Sequence, residues 1–325
     1  MNSRMLSYKD IVITPAYSEI ISRSRVNTEV KFGPKKFLSP AIPANMICTI
    51  DFKKAKELSE NKYFYVLHRF YDYKEIYQWI KNNQDLRTIS ISIGVGQKDK
   101  DLIYKICKNK LRVDYITIDV AHGHHILVKE MVKYVKNILP KPFLIAGNVG
   151  TSGAVASLSS WGADAVKVGL SMGKSCTTYN CTGVGTPMFS TLESIKFDMD
   201  QKEKFSQHSK NVPIIADGQI REVGDVCKAL AVGATMVMIG SEFASCEDSP
   251  AKTVDGKKEF FGSASQYTKG HDSFIEGEKV ILDIKHKSYL SYFNKIKEGI
   301  QSFLSYIGQT DIKNATQCTY NILCK

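Results

Sequence analysis

Short apolar, β-branched runs recur along the chain, separated by longer stretches in which apolar residues return every three or four positions. The runs are Lys36–Ala41, Tyr63–Leu67, Thr88–Ile93, Tyr115–Asp119, Phe143–Asn148, Ala165–Leu170, Pro213–Asp217 and Met236–Gly240. Short, nearly continuous runs of this kind suit strands buried on both faces of a parallel sheet. The stretches between them predict helices. Asp72 caps one toward Asn83, and Asp99 opens another through Asn109. From His124 to Leu139 the residues Ile126, Val128, Met131, Val132, Val135 and Ile138 mark one face, and Pro140 and Pro142 stop the helix. Thr151 caps a helix to Trp161 with Gly162 beyond it, and Glu222 to Val232 ends likewise at Gly233.

Strands followed by helices predict an α/β fold, a (β/α)8 TIM barrel in one domain over residues 1–325. The alternative is an open doubly wound sheet, which usually carries a GxGxxG turn after an early strand; none is present. Glu247 to Ile281 is polar, rich in Gly, Lys and Ser, and reads as a flap-like excursion after the last run. The remainder, about 282–325, is a tail in which Ser288 to Tyr306 has helical character. Asp198–Lys210 is a second polar stretch with no assigned role.

Composition narrows the classes. The 325 residues include 44 Lys+Arg against 33 Asp+Glu, a formal charge of +11, with 43% hydrophobic residues. That excludes a disordered or collagenous chain. The lysines are scattered rather than blocked, so a solvated surface or an anionic small substrate is expected and no nucleic-acid partner. The eight cysteines form no CxxC pair, which predicts reduced thiols and a cytoplasmic location. Arg4, Lys9 and Asp10 interrupt the first ten residues, so no signal peptide is expected there. No apolar stretch approaches about 20 residues, so no membrane partner is expected either.

In a barrel the chemistry lies just beyond the carboxyl ends of the strands. Those positions hold Asn45 and Met46, His68 and Arg69, Gly94 and Gly96, Asp119 and His122, Asn148, Asp217 and Gly218, and Gly240 and Ser241. Asp217-Gly218 and Gly240-Ser241 allow backbone N–H groups to approach a phosphate, with Asp217 free to accept from ribose hydroxyls; the alternative is tight turns that need Gly. The Gly169–Gly185 loop carries Cys176 beside Lys174, a candidate nucleophile, against the alternative of an inert buried thiol. Cys48, Cys107, Cys227 and Cys246 are expected to be inert. His122, His124 and His125 lack the carboxylate spacing of a metal site, and none is expected.

Several segments together carry a family pattern: Ile145-Ala-Gly-Asn-Val-Gly-Thr, Gly162-Ala-Asp-Ala-Val-Lys-Val-Gly, Cys176-Thr-Thr, Thr182-Gly-Val-Gly, Ile215-Ala-Asp-Gly and Gly233-Ala-Thr-Met-Val-Met-Ile-Gly-Ser. In this order they resemble the IMP dehydrogenase/GMP reductase family, from Tyr8-Lys-Asp-Ile to Ser305-Tyr-Ile-Gly. Tyr63-Phe-Tyr-Val-Leu-His-Arg-Phe and Phe261-Gly-Ser-Ala-Ser are similar to its bacterial GMP reductase branch. Residues 269–276 lack the Arg-Tyr pair with which IMP dehydrogenases activate water, and the chain has no room for their inserted regulatory domain.

The resemblance implies NADPH-dependent reductive deamination of GMP to IMP and ammonia, a step of purine salvage, through a covalent thioimidate on Cys176, with Thr178 and Glu276 as the acid pair. It implies substrate contacts from Asp217, Gly218, Gln219, Gly240, Ser241, Gly262, Ser263, Ala264, Ser273 and Gly277. It implies cofactor contacts from Ser22, Arg23, Arg69, Asp119, Val120, Ala121, Leu170, Ser302 and Ser305. A monovalent cation, K+, would rest on carbonyls of Ser171, Gly173 and Cys176, and the family habit is a homotetramer. The chain departs from the family at Gly169-Leu-Ser-Met-Gly173, where a Gly-Ile/Val-Gly-Pro-Gly loop is usual. It departs again at Gln219, which replaces a Gly, and in a longer connection between Phe189 and Pro213. Two alternatives stay open: an IMP dehydrogenase without the insert, and a non-catalytic nucleotide-binding barrel.

Overall fold

The computed structural model describes residues 5–171, 173–205, 212–270 and 275–323, without the side chains at 202–205 and 269. Met172, Ser273, Cys324 and the end of the Asp198–Lys210 stretch lie outside the described residues. Seven parallel strands form one sheet: β1 (Ala41–Pro43), β2 (Ser90–Ile93), β3 (Tyr115–Asp119), β4 (Phe143–Val149), β5 (Ala165–Val168), β6 (Ile214–Asp217) and β7 (Met236–Ile239). Their order is β1-β7-β6-β5-β4-β3-β2. The order decides between the two expected topologies. From β2 to β7 each strand neighbours the next, and the first pairs with the last (Ile42 opposite Met238), which leaves β1 and β2 at the two edges. A doubly wound sheet would reverse direction; this one curls round as a TIM barrel does.

Two predicted runs change. Lys36–Ala41 splits, because Lys35–Phe37 pairs antiparallel with Val30–Phe32 and only Ala41 enters the parallel sheet. Tyr63–Leu67 forms no ladder. Leu67 alone bridges Ile91, its N–H donating to Ser90 O at 3.2 Å while Ser92 N–H donates to Leu67 O at 3.0 Å. Its residues Phe64 to Leu67 are nevertheless fully buried, so the segment fills the stave beside β2.

Alternation along each strand divides the core in two. Phe64, Val66, Tyr115, Ile145, Ala165, Ile215, Met236 and Met238 meet in one cluster inside the curl. Phe32 and Phe37 from the short hairpin join it, Phe32 stacking on Tyr115 at 6.0 Å and receiving the Tyr115 hydroxyl at its carbonyl (2.7 Å). The intervening residues, such as Ile116, Ile118, Val166 and Val168, face the helices in a second, larger cluster. The helices begin where local chemistry satisfies their free N–H groups. Thr151 Oγ1 accepts from Ala154 N at 3.3 Å, and Asp72 Oδ1 accepts from Lys74 N at 2.7 Å. Asp99 caps Gln97–Lys108 from inside its first turn, accepting from Gly94 N and Gly96 N at 2.8 and 2.9 Å. The helical character expected from Ser288 to Tyr306 is the helix Tyr289–Tyr306, and Ser288 is its N-cap.

The stretch after β7, expected as a flap-like excursion, contains three short strands among the described residues. Lys257–Phe261 pairs antiparallel with both Thr253–Val254 and Lys279–Asp283. A two-residue Asp255-Gly256 turn, both residues at positive φ, closes the first of these hairpins, and Asp-Gly is the usual composition for that turn. Its strand leads into Gly262–Ala264, and the return strand follows Glu276-Gly277.

Candidate active site

The carboxyl ends of the strands surround a cavity of about 390 Å³. Its floor is a buried charge network. Lys167, on β5, follows Ala165 on the interior face, and its side chain is only 4% exposed. Its ammonium lies 2.7 Å from Asp119 Oδ1, 3.2 Å from Asp217 Oδ2 and 3.1 Å from Asn45 Oδ1. Asn45 also donates to Asp119 Oδ2 (2.9 Å), and Asn148 Nδ2 donates to Asp217 Oδ2 (2.8 Å) and to Gly169 O (2.9 Å). Burial alone would raise the Asp119 carboxyl, but Lys167, then Arg69 and Asn45, hold it below the usual carboxylate range. Burial alone would lower the Lys167 ammonium, but Asp119 and Asp217 hold it above the usual lysine value. The buried Asn148 Oδ1 has no partner among the described residues. Arg69, Lys174 and Arg221 also line the cavity. None of these three makes a salt bridge among the described residues, and they add positive charge to the lining that suits anions.

The reactive candidates line the same cavity. Cys176 Sγ lies 3.3 Å from Thr178 Oγ1, whose hydroxyl donates to Glu276 Oε2 at 2.7 Å. Backbone bonds hold that line in place. Thr177 N donates to Glu276 O (3.0 Å), Glu278 N to Ser175 O (2.9 Å) and Glu276 N to Ala264 O (3.1 Å), so residues 276–278 lie between two neighbouring segments. Gly277 is required by closeness: a Cβ there would meet Ser265 N at 3.1 Å and Ser175 O at 3.3 Å. Cys48 and Cys227 are buried in the core, and burial pushes their thiols up to about 11 and about 12. His68 is likewise a core group: burial pushes it down to about 4, and it stacks on Tyr71.

Asp217, Gly218, Gln219, Gly240, Ser241, Gly262, Ser263 and Ala264 all line the cavity, as do Arg69, Asp119, Val120, Ala121, Leu170, Ser171 and Gly173. Gly277 reaches it through its bridge to Cys176. Ser22, Arg23, Ser302 and Ser305 do not line it. They gather where the N-terminal segment meets the last helix, Arg23 Nη1 donating to Ser302 Oγ at 2.9 Å. Gln219 keeps the left-handed backbone (φ 59°) of a glycine position, and its side chain turns aside to accept from Met188 N at 3.0 Å. Ser171 also takes a positive φ (64°), and its hydroxyl ties the loop to Val184 O at 2.6 Å. At Gly169 (φ 147°) a Cβ would fall 1.8 Å from Asp217 O. Gly169→Ala is therefore expected to push β5 from β6 and cost on the order of 3 kcal/mol or more, read as a lowered denaturation midpoint.

Residues 5–320 match the family model described as the IMP dehydrogenase / GMP reductase domain. The chain belongs to that family. Proteins named GMP reductase from Staphylococcus aureus strains JH9, Mu50 and MSSA476 are each 42% identical to it over 325 residues, covering 98% of this chain and 97% of theirs. For a member of the IMP dehydrogenase/GMP reductase family, the cavity contains more than the sequence motifs named. Lys167 was visible only as part of a motif, although its phase with Ala165 is the signal that it faces inward. Asn45 and Asn148 stood at strand ends without assigned partners, and Arg221 gave no signal beyond its closeness to Asp217.

Proposed function

We propose that this chain is an NADPH-dependent GMP reductase that converts GMP to IMP and ammonia, GMP + NADPH + 2H+ giving IMP + NADP+ + NH4+. The observation that carries the reading is the line from Cys176 Sγ through Thr178 Oγ1 to Glu276 Oε2 at 3.3 and 2.7 Å. Along that line a proton can pass from thiol to hydroxyl and from hydroxyl to carboxylate, which arms the nucleophile and the acid together. The thiolate adds to purine C2, an S–C bond forms, and the protonated 2-amino group departs as ammonia. Hydride addition at C2 then breaks the S–C bond and returns the thiolate. Water must be kept out between these steps, and the chain carries no Arg or Tyr at 269–276 to activate it.

Asp217, Gly218, Gln219, Gly240 and Ser241 would hold ribose and phosphate, and Gly262, Ser263, Ala264 and Gly277 the base. The apolar wall of Val120, Ala121 and Leu170 and the orphaned Asn148 Oδ1 suit an amide-bearing ring such as nicotinamide. Arg69, Asp119, Val120, Ala121 and Leu170 would hold it there, with Ser22, Arg23, Ser302 and Ser305 for its distal half. When bound, this cofactor supplies the hydride. K+ on carbonyls of Ser171, Gly173 and Cys176, a homotetramer, and a cytoplasmic enzyme of purine salvage belong to the same reading. Among the described residues no helix is long and apolar enough to cross a membrane.

Steady-state assay with GMP and NADPH is expected to give equal amounts of NADP+, IMP and ammonia. Reduction of NAD+ by IMP without consumption of GMP would instead identify an IMP dehydrogenase. Nucleotide binding without either reaction would leave a binding protein.

A further inference from the structure

Glu242 is a buried carboxylate that the proposed chemistry leaves unused. It follows Ser241 in the short helix Ser241–Ala244 and is 6% exposed. Both its oxygens are engaged, Oε1 by Lys285 Nζ at 2.6 Å and Oε2 by His286 Nε2 at 3.4 Å. The His286 ring stacks on Tyr292 at 4.2 Å, and Tyr292 meets Phe243 edge-on at 5.0 Å. Backbone bonds run in parallel: Lys285 N donates to Ser245 O and Glu247 N to His286 O, both at 2.9 Å. Lys285 and His286 follow the return strand Lys279–Asp283 of the hairpin whose connecting segment starts with Gly262–Ala264 and ends with Glu276-Gly277, at the end away from this foot. One carboxylate thus fastens the foot of that hairpin to the helix that begins at Ser241.

A buried carboxylate is an expensive group to place beside Phe243 and Tyr292, where an apolar side chain would avoid the desolvation penalty. What the charges add over an apolar residue is direction, since Lys285 and His286 can satisfy both oxygens in only a narrow set of orientations. Resting on the nucleotide reading of the cavity given above, we infer that Glu242 is a positioning residue. Through Lys285 and His286 it fixes the Gly240-Ser241 turn against the hairpin foot, so that the turn's N–H groups and the Ser241 hydroxyl are set for the 5′-phosphate of a purine nucleotide. The base is held beyond the opposite end of the hairpin, past the Phe261–Lys279 pair, so the nucleoside portion depends much less on this pairing than the phosphate does.

Calorimetric titration of GMP and of guanosine into the wild type and variants tests the inference without requiring turnover. The wild type is expected to bind GMP more tightly than guanosine. Glu242→Gln and Lys285→Met are expected to weaken GMP on the order of tenfold, the scale of one hydrogen bond to a charged group, and guanosine by less than about twofold. Lys285→Arg keeps the pairing and is expected to retain the wild-type ratio. Lys285 is 46% exposed along its side chain, so its variants keep the test open if Glu242→Gln fails to fold. Equal weakening of both ligands, or an unchanged ratio in Lys285→Met, overturns the inference. A wild type that binds GMP far more tightly than guanosine yet oxidises no NADPH overturns the reductase reaction and leaves the role of Glu242 standing.

Discussion

Cys176→Ala is expected to lower kcat on the order of 10³-fold or more while GMP still binds. The nucleophile makes a bond that no neighbour can replace, because its two partners in the line, Thr178 and Glu276, can move protons but cannot add to carbon as a thiolate does. The cavity's polar lining stays in place without the sulfur, so affinity for GMP, measured by titration, is expected to stay within a few-fold of wild type. Cys181 is the internal control. It lies in the same loop but is exposed and turned toward Thr177 Oγ1 at 3.8 Å rather than toward Glu276. Cys181→Ala should therefore turn over at close to the wild-type rate. Wild-type turnover by Cys176→Ala, or loss of turnover by Cys181→Ala, would sink the assignment of the nucleophile.

The barrel-like fold was legible because each strand is short, apolar and followed by an amphipathic helix, a period change that few other folds repeat so often. Two places were not legible for physical reasons. Tyr63–Leu67 has the composition of a strand, yet its neighbours allow only one bridge, to Ile91; pairing depends on the partner, which the segment does not encode. After the last run, the polar composition around Asp255-Gly256 hid the two strands that this turn joins. The candidate site divides in the same way. Cys176 and Thr178 are two residues apart and share one loop, so a local motif contains both. Glu276 reaches Thr178 across 98 positions of sequence, and only the resemblance to a family could bring it forward. Lys167 was obscured by its own surroundings, since a strand counted as uniformly buried conceals the one charged residue that alternation turns toward the cavity.

Lys167→Met is expected to produce the largest loss of stability, on the order of 3–5 kcal/mol, together with loss of activity. Removing one member of a buried ion cluster leaves the others desolvated and unpaired. Here Asp119 and Asp217, both within 3.2 Å of the same ammonium, would face each other without it. Mutual repulsion and burial then raise the pKa of one of the two carboxyls, which takes up a proton. The sign of the pH dependence follows. In the wild type the Asp119 carboxyl is held below its unfolded value, so its contribution is present above pH about 4 and is lost as pH falls through the folded value. Lys167 is held above its unfolded value, so its contribution is present below pH about 10.5 and is lost as pH rises beyond the folded value. The wild type therefore keeps this stabilisation between those limits, whereas the variant gains stability as acid supplies the missing proton. The gap in denaturation midpoint between wild type and Lys167→Met should narrow steadily from pH 8 to pH 5. Lys167→Met combined with Asp217→Asn removes the paired charges together and should recover part of the stability but not the activity, because Asp217 is proposed to accept from the ribose. A gap that widens toward acid, or a single variant as stable as the wild type at pH 8, would mean that Lys167 does not hold the two carboxylates.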